Sequence, residues 1–259
     1  TYIENGPLQI DPDTYLLMRN YYSQFGLGVL TGLDVPNETV GYIPGKLDSV
    51  GNTLDFAIGQ LDNYTLIELA QYISTIANGG QRITPRLVRK AYEPGTQNVV
   101  YENEVEVLSA LDNEEALDRV RQGFNACVYG GGICYGLTDI PVTMSAKTGT
   151  AESFINVTDE EGNTTRVETA NHSLVAYAPA EEAEYSMACM IPNAFTIGSG
   201  SSPSNLCLRI TNELTKAIYN QDTATDQTEP QSETEQPAAD PNSEALPAQG
   251  TQDPQPEEQ

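Results

Sequence analysis

The chain has 259 residues, of which 12 are Lys or Arg and 37 are Asp or Glu, for a formal net charge of −25. A charge of that sign argues against nucleic acid and anionic membrane surfaces as partners, because both are gripped through clustered cations. The excess is uneven: residues 221–259 hold ten acidic side chains, six prolines, no Lys or Arg and one large aliphatic, Leu246. A segment so composed cannot bury a core and is expected to be a disordered, acidic, Pro/Gln-rich tail. Residues 1–220 keep 27 acids and 12 bases, a body large enough for a sizeable core. Neither a run of about 18 apolar residues nor a basic and apolar leader is present. Thr1 opens on residues that read as the middle of a longer polypeptide, so an amino-terminal truncation is expected.

Asp11 as N-cap, Pro12 at the first helical position, and Tyr15, Leu16, Met18, Tyr22 and Phe25 at helical spacing predict a helix over 11–25, ended by Gly26 and Gly28. From there to Gly59, Pro36-Asn37, Pro44-Gly45 and Gly51-Asn52 mark turns, predicting an ordered connecting region. Thr65 and Glu68 form a capping box ahead of Leu66, Leu69, Ala70, Ile73, Ile76 and Ala77, which predicts a helix over 65–78 buried on one side. A short extended pair is expected around 83–92 and 99–107. Asp112 with Glu115 should cap a further helix carrying Ala116, Val120 and Phe124 and ending near Tyr129. Strand candidates follow at 142–153, 173–178 and 185–192, the first two separated by a polar loop over 156–171. Ser202 as N-cap and Pro203 begin a last helix with Leu206, Ile210, Leu214 and Ile218 on one face. Three consecutive strands and an amphipathic helix predict an α+β domain, an antiparallel sheet covered by helices.

Cys127, Cys134, Cys189 and Cys207 form no Cys-x-x-Cys pair and have no adjacent His, so no metal site is expected. They read as buried thiols, or as two bridges, Cys127–Cys134 and Cys189–Cys207, if the compartment is oxidising. The lone His172 is a poor anchor for a Ser-His-Asp triad and reads as a structural or hydrogen-bonding residue. No cofactor motif is present.

Lys147-Thr148-Gly149-Thr150 carries the chemistry. A strand bearing an ammonium, two hydroxyls and a glycine makes a poor core strand. The cation and hydroxyls can hold an anionic group, while Gly149 lets a substrate backbone approach the strand edge and pair with it. Alternation puts Thr148 and Thr150 on one face, where two hydroxyls can share one carboxylate. Lys147 needs its length, or the local twist, to reach the same place.

The surroundings add a family resemblance. Phe25-Gly26-Leu27-Gly28 with Thr31-Gly32-Leu33-Asp34-Val35-Pro36-Asn37-Glu38, then Ala57-Ile58-Gly59-Gln60, Leu69-Ala70-Gln71 and Ile76-Ala77-Asn78-Gly79-Gly80, resemble successive segments of monofunctional (class B) penicillin-binding proteins, closest to the elongation type. Lys147-Thr148-Gly149-Thr150-Ala151-Glu152, His172-Ser173-Leu174-Val175-Ala176-Tyr177-Ala178-Pro179 and the strand from Tyr185 follow in the family's order.

The resemblance implies a serine D,D-transpeptidase that crosslinks peptidoglycan and is acylated by β-lactams. It implies a membrane-anchored protein on the extracytoplasmic face of a bacterial envelope, working with a cell-wall elongation complex. Such sites combine Ser-x-x-Lys, Ser-x-Asn and Lys-Thr-Gly. The first two are absent here: Ile43, Leu87, Met144 and Glu213 stand three residues before the four lysines, and no asparagine has a serine two places earlier. The nucleophile is therefore expected on a missing amino-terminal half. By the resemblance, Lys147 keeps the site electropositive, Thr148 and Thr150 hold the terminal carboxylate of a D-Ala-D-Ala stem or a β-lactam, and the Thr150 N–H is an oxyanion donor. Glu152 caps or orients the strand end. The fold's sheet then lacks two strands, leaving the strand from Tyr185 with an open apolar edge, and the piece is expected not to fold stably alone. The competing readings are a catalytically inactive scaffold of the same fold and a β-lactamase or β-lactam sensor domain.

Overall fold

A computed structural model of the chain describes residues 6, 10–11, 13–45, 49–198 and 205–225. The element order is α1 (Thr14–Gln24), α2 (Val50–Ala57), α3 (Leu66–Ala77), β1 (Gln81–Ile83), β2 (Lys90–Tyr92), β3 (Val99–Glu102), β4 (Val107–Ala110), α4 (Glu114–Tyr129), β5 (Ser145–Thr158), β6 (Thr164–Ala178), β7 (Tyr185–Thr196) and α5 (Leu206–Thr225). The expected α+β architecture is observed. β5, β6 and β7 form an antiparallel sheet in that order, and two small ribbons pair β1 with β4 and β2 with β3. No helix among the described residues is long and apolar enough to cross a membrane.

Alternation along β6 divides the core. Val175 and Tyr177 face Ile73 and Ile76 of α3 together with Leu117 and Phe124 of α4. Leu174, Ala176 and Ala178 face the other way, against Ala146 of β5, Cys127 and Val128 of α4, Leu137, and Cys207 of α5. Helix α4 thus contributes to both clusters from its position beside β5. Both cysteine pairs are bridged, Cys127 to Cys134 and Cys189 to Cys207, so the bridged alternative replaces four thiols. The second bridge ties α5 to β7.

The capping box of α3 is formed as expected, with Glu68 accepting from the Thr65 N–H at 2.6 Å while the Thr65 hydroxyl accepts from the Glu68 N–H at 3.3 Å. Glu68 does more, because its other oxygen accepts from the Gly28 N–H at 2.8 Å. Gln71 donates to the carbonyls of Thr31 and Ile83, and Arg82 donates to Gln71, Ser23 and Leu30. These bonds hold the turn-rich segment 26–45 on α3. Gly26, at φ +98°, leaves room for the Gln71 amide, which any Cβ there would strike at 2.1 Å. A third cluster joins Tyr15 of α1 to Phe56 of α2, beside an Arg19–Asp62 ion pair at 2.7 Å.

Several expectations are corrected. The first helix starts at Thr14 after Asp13, with Asp11 accepting from the Asp13 N–H instead of capping the helix, and Pro12 lies outside the described residues. The region to Gly59 contains a helix, α2, capped by Ser49 on the Asn52 N–H, because a serine cap suffices to start two turns despite Gly51-Asn52. The single extended pair is two ribbons. Asn113, not Asp112, caps α4 by accepting from Ala116.

The polar loop 156–171 is absent: β5 and β6 run past the sheet as a two-stranded ribbon, turning at 159–163 on Asp159 and Gly162. Val157, Thr158, Thr164, Thr165 and Val167 favour strand, but a ribbon solvated on both faces shows no alternation. Along α5 the buried positions are Cys207, Thr211, Asn212 and Thr215, while Ile210 and Leu214 of the expected apolar face are about half exposed. The Cys189 bridge and the Asn212 bonds to Gly136 and Asp139 set that rotation of the helix. Ser202 and Pro203 lie outside the described residues, as does the tail after Thr225, the helix itself continuing five residues past the expected boundary.

Candidate active site

β5 pairs with β6 along one side, and among the described residues its other edge pairs with nothing. Lys147, Thr148, Gly149 and Thr150 lie in this open-edged strand, opposite Val175, Leu174, Ser173 and His172 respectively. Antiparallel alternation then assigns faces. Lys147 and Gly149 stand on the face that Val175 shares with α3, and Thr148 and Thr150 on the face of Leu174, His172 and α5.

Lys147 is exposed, and its Nζ donates to the Thr148 carbonyl at 2.6 Å. It takes part in none of the ion pairs formed among the described residues. In a chain with this excess of acid, an unneutralised ammonium at an open strand edge is available to an outside anion. Thr150 is exposed beside it, whereas Thr148 is only 9% exposed and turns toward the packed side. The two hydroxyls share a face as expected, with unequal access. Glu152, on that face too, is exposed.

The strand chemistry is held from behind by groups outside the Lys147–Thr150 run. The hydroxyl of Ser173 fills the place of a side chain at Gly149, 2.4 Å from where a Cβ would stand. Asn205 at the start of α5 donates to the Ser173 carbonyl at 3.2 Å. The sequence names Ser173 only within the His172–Pro179 segment, and its place behind Gly149 comes from the cross-strand register. A Gly149→Ala change should destabilise by about 1 kcal/mol, since the Ser173 hydroxyl must rotate away, and adding Ser173→Ala should restore most of the loss. Urea denaturation measures both.

The site is thus a sheet flanked by helices on both faces, with a cation and hydroxyls on an open edge. The family model "Penicillin binding protein transpeptidase domain" matches residues 2–220, and the chain belongs to that family. Penicillin-binding protein 2A of Bacillus subtilis is 42% identical over 190 residues, a match covering 71% of this chain and 26% of that relative. Penicillin-binding protein 2B of Streptococcus pneumoniae R6 is a solved structure with TM-score 0.66 and 26% identity, matched over 84% of this chain and 35% of its own. PBP2 of Helicobacter pylori, solved in complex with MreC, shares the fold at TM-score 0.57 and 22% identity, over 78% of this chain and 35% of that one. The chain therefore spans about a quarter of the length of the curated relative and a third of these structures.

Proposed function

We propose that the chain is the carboxy-terminal part of the transpeptidase domain of an elongation-type class B penicillin-binding protein. In this reading the whole protein crosslinks peptidoglycan by acyl transfer through a serine acyl-enzyme, and β-lactams acylate the same serine. The observation that carries it is the exposed Lys147 and Thr150 on a strand edge with nothing paired to it. Thr150, helped by Thr148, holds the terminal carboxylate of a D-Ala-D-Ala stem, and Lys147 supplies the positive field that draws the anion and steadies the acylation transition state. Gly149 lets the stem peptide pair along the edge, and the Thr150 N–H serves as one oxyanion donor.

The nucleophile and its base sit on polypeptide outside these 259 residues, which contain neither Ser-x-x-Lys nor Ser-x-Asn. That polypeptide also supplies the strands that pair with the open edge of β7. Two bridged cysteine pairs suit an oxidising, extracytoplasmic position, where a membrane helix elsewhere in the protein would anchor it. The MreC complex of the Helicobacter protein supports an elongation-complex partner.

Fluorescent penicillin tests the reading. The full-length protein should form a covalent adduct that survives denaturation, on a serine of a Ser-x-x-Lys motif. The 259-residue chain alone should form none. Peptide mapping that located the adduct on a serine of this chain would overturn the assignment.

A further inference from the structure

His172 is the one histidine of the chain. It is 3% exposed, and its Nδ1 is buried with no hydrogen-bond partner, the single side-chain N or O so left among the described residues. A buried nitrogen left unpaired loses its hydration with no bond in return, so the position calls for a reason. Its placement supplies one. The register sets His172 opposite Thr150 on β5 and Ile191 on β7. Directly opposed residues of an antiparallel pair project to one face, with Cβ atoms about 5 Å apart. The imidazole therefore stands behind the exposed threonine, on the side away from the open edge. The Phe195 ring, 5.3 Å away at 54°, fixes the imidazole plane, and Cys207 Sγ lies 3.8 Å from the His172 carbonyl, closing the pocket from α5.

A hydroxyl that donates to a carboxylate works best when its own oxygen accepts from a donor behind it. The chain N–H to O–H to carboxylate polarises each bond, and the terminal charge strengthens it. Resting on the carboxylate-binding reading of Thr150, we propose that His172 is the positioning residue of that site. Its Nδ1–H donates to the Thr150 hydroxyl and commits that hydroxyl's proton to the ligand carboxylate. His172 Nδ1 makes no such bond in this structure, so the contact calls for a change of staggered side-chain rotamer at Thr150 or His172. The residue acts through Thr150 and touches no reacting atom.

The test compares second-order acylation rates of the full-length protein by a penicillin with a free carboxylate and by its methyl ester. The ester lacks the group that Thr150 holds, so its rate reports folding and the acylation machinery alone. His172→Phe should lower the acid-to-ester rate ratio about tenfold. His172→Gln, whose amide keeps an N–H donor, should recover the ratio to within about threefold of the unsubstituted protein. Equal losses with acid and ester, no loss with either, or a glutamine variant no better than phenylalanine would each overturn the proposal. Thr150→Val separates it from the reading on which it rests. If the valine variant keeps the full ratio, the carboxylate site itself is misassigned. If valine collapses the ratio and the His172 variants do not, only the role of His172 fails.

Discussion

Replacing Lys147 with alanine in the full-length protein is expected to slow acylation by fluorescent penicillin by about 10²- to 10³-fold, the usual loss for one preorganised charge or donor at an acyl-transfer centre. The fold should scarcely register the change. Lys147 is exposed, joins none of the described ion pairs, and spends its ammonium on the carbonyl of the next residue. A change at an exposed side chain of that kind stays within about 0.5 kcal/mol of the parent stability. Burst kinetics for acylation and urea denaturation for stability separate the two. A loss below about fivefold, with stability intact, would mean that the ammonium does not face the acylation centre.

Reducing both cystines is expected to be the largest single blow to stability. The Cys127–Cys134 bridge closes a sequence separation of 7 and Cys189–Cys207 one of 18. Loop-closure entropy then assigns them about 2.5 and 3 kcal/mol. All four cysteines belong to the same apolar cluster or its rim, which backs the strand carrying Thr148. The measurement is the urea midpoint of the full-length protein with and without a thiol reductant, alongside the Cys127→Ser/Cys134→Ser and Cys189→Ser/Cys207→Ser variants. The second pair should cost more and should loosen α5, seen as faster amide exchange in its first turns. If free-thiol titration shows complete reduction while the midpoint stays put, the bridges contribute nothing to the native state.

Much of this arrangement is legible in the sequence because its causes are local. The capping box at Thr65 and Glu68 sits next to the apolar stripe it starts, and the three central strands show their apolar runs directly. The open edge of β5 is legible too, since a lysine and two threonines have no place in a core strand. What escapes is either weakly marked locally or set at long range. Helix α2 depends on one serine cap in a segment otherwise full of turn residues. The ribbon beyond Ser153 carries strand formers whose alternation vanishes once both faces meet water. The rotation of α5 is set by a bridge to β7 and by Asn212, so its most apolar stripe is not its most buried one. At the site the motif names Lys147 to Thr150, while His172 and Ser173, quoted only within a family-like segment, gain their places beside Thr150 and Gly149 through register.

Because β5 is a single strand with different supports on its two sides, it behaves as a partition. The ammonium of Lys147 stands over the cluster built with α3, and the Thr150 hydroxyl over the cluster closed by α5. Repacking either cluster shifts one functional group and leaves its neighbour three residues along nearly where it was. A displacement of the strand backbone carries both away together. Adaptation of this wall to a new ligand therefore has two independent fine adjustments and one coarse one.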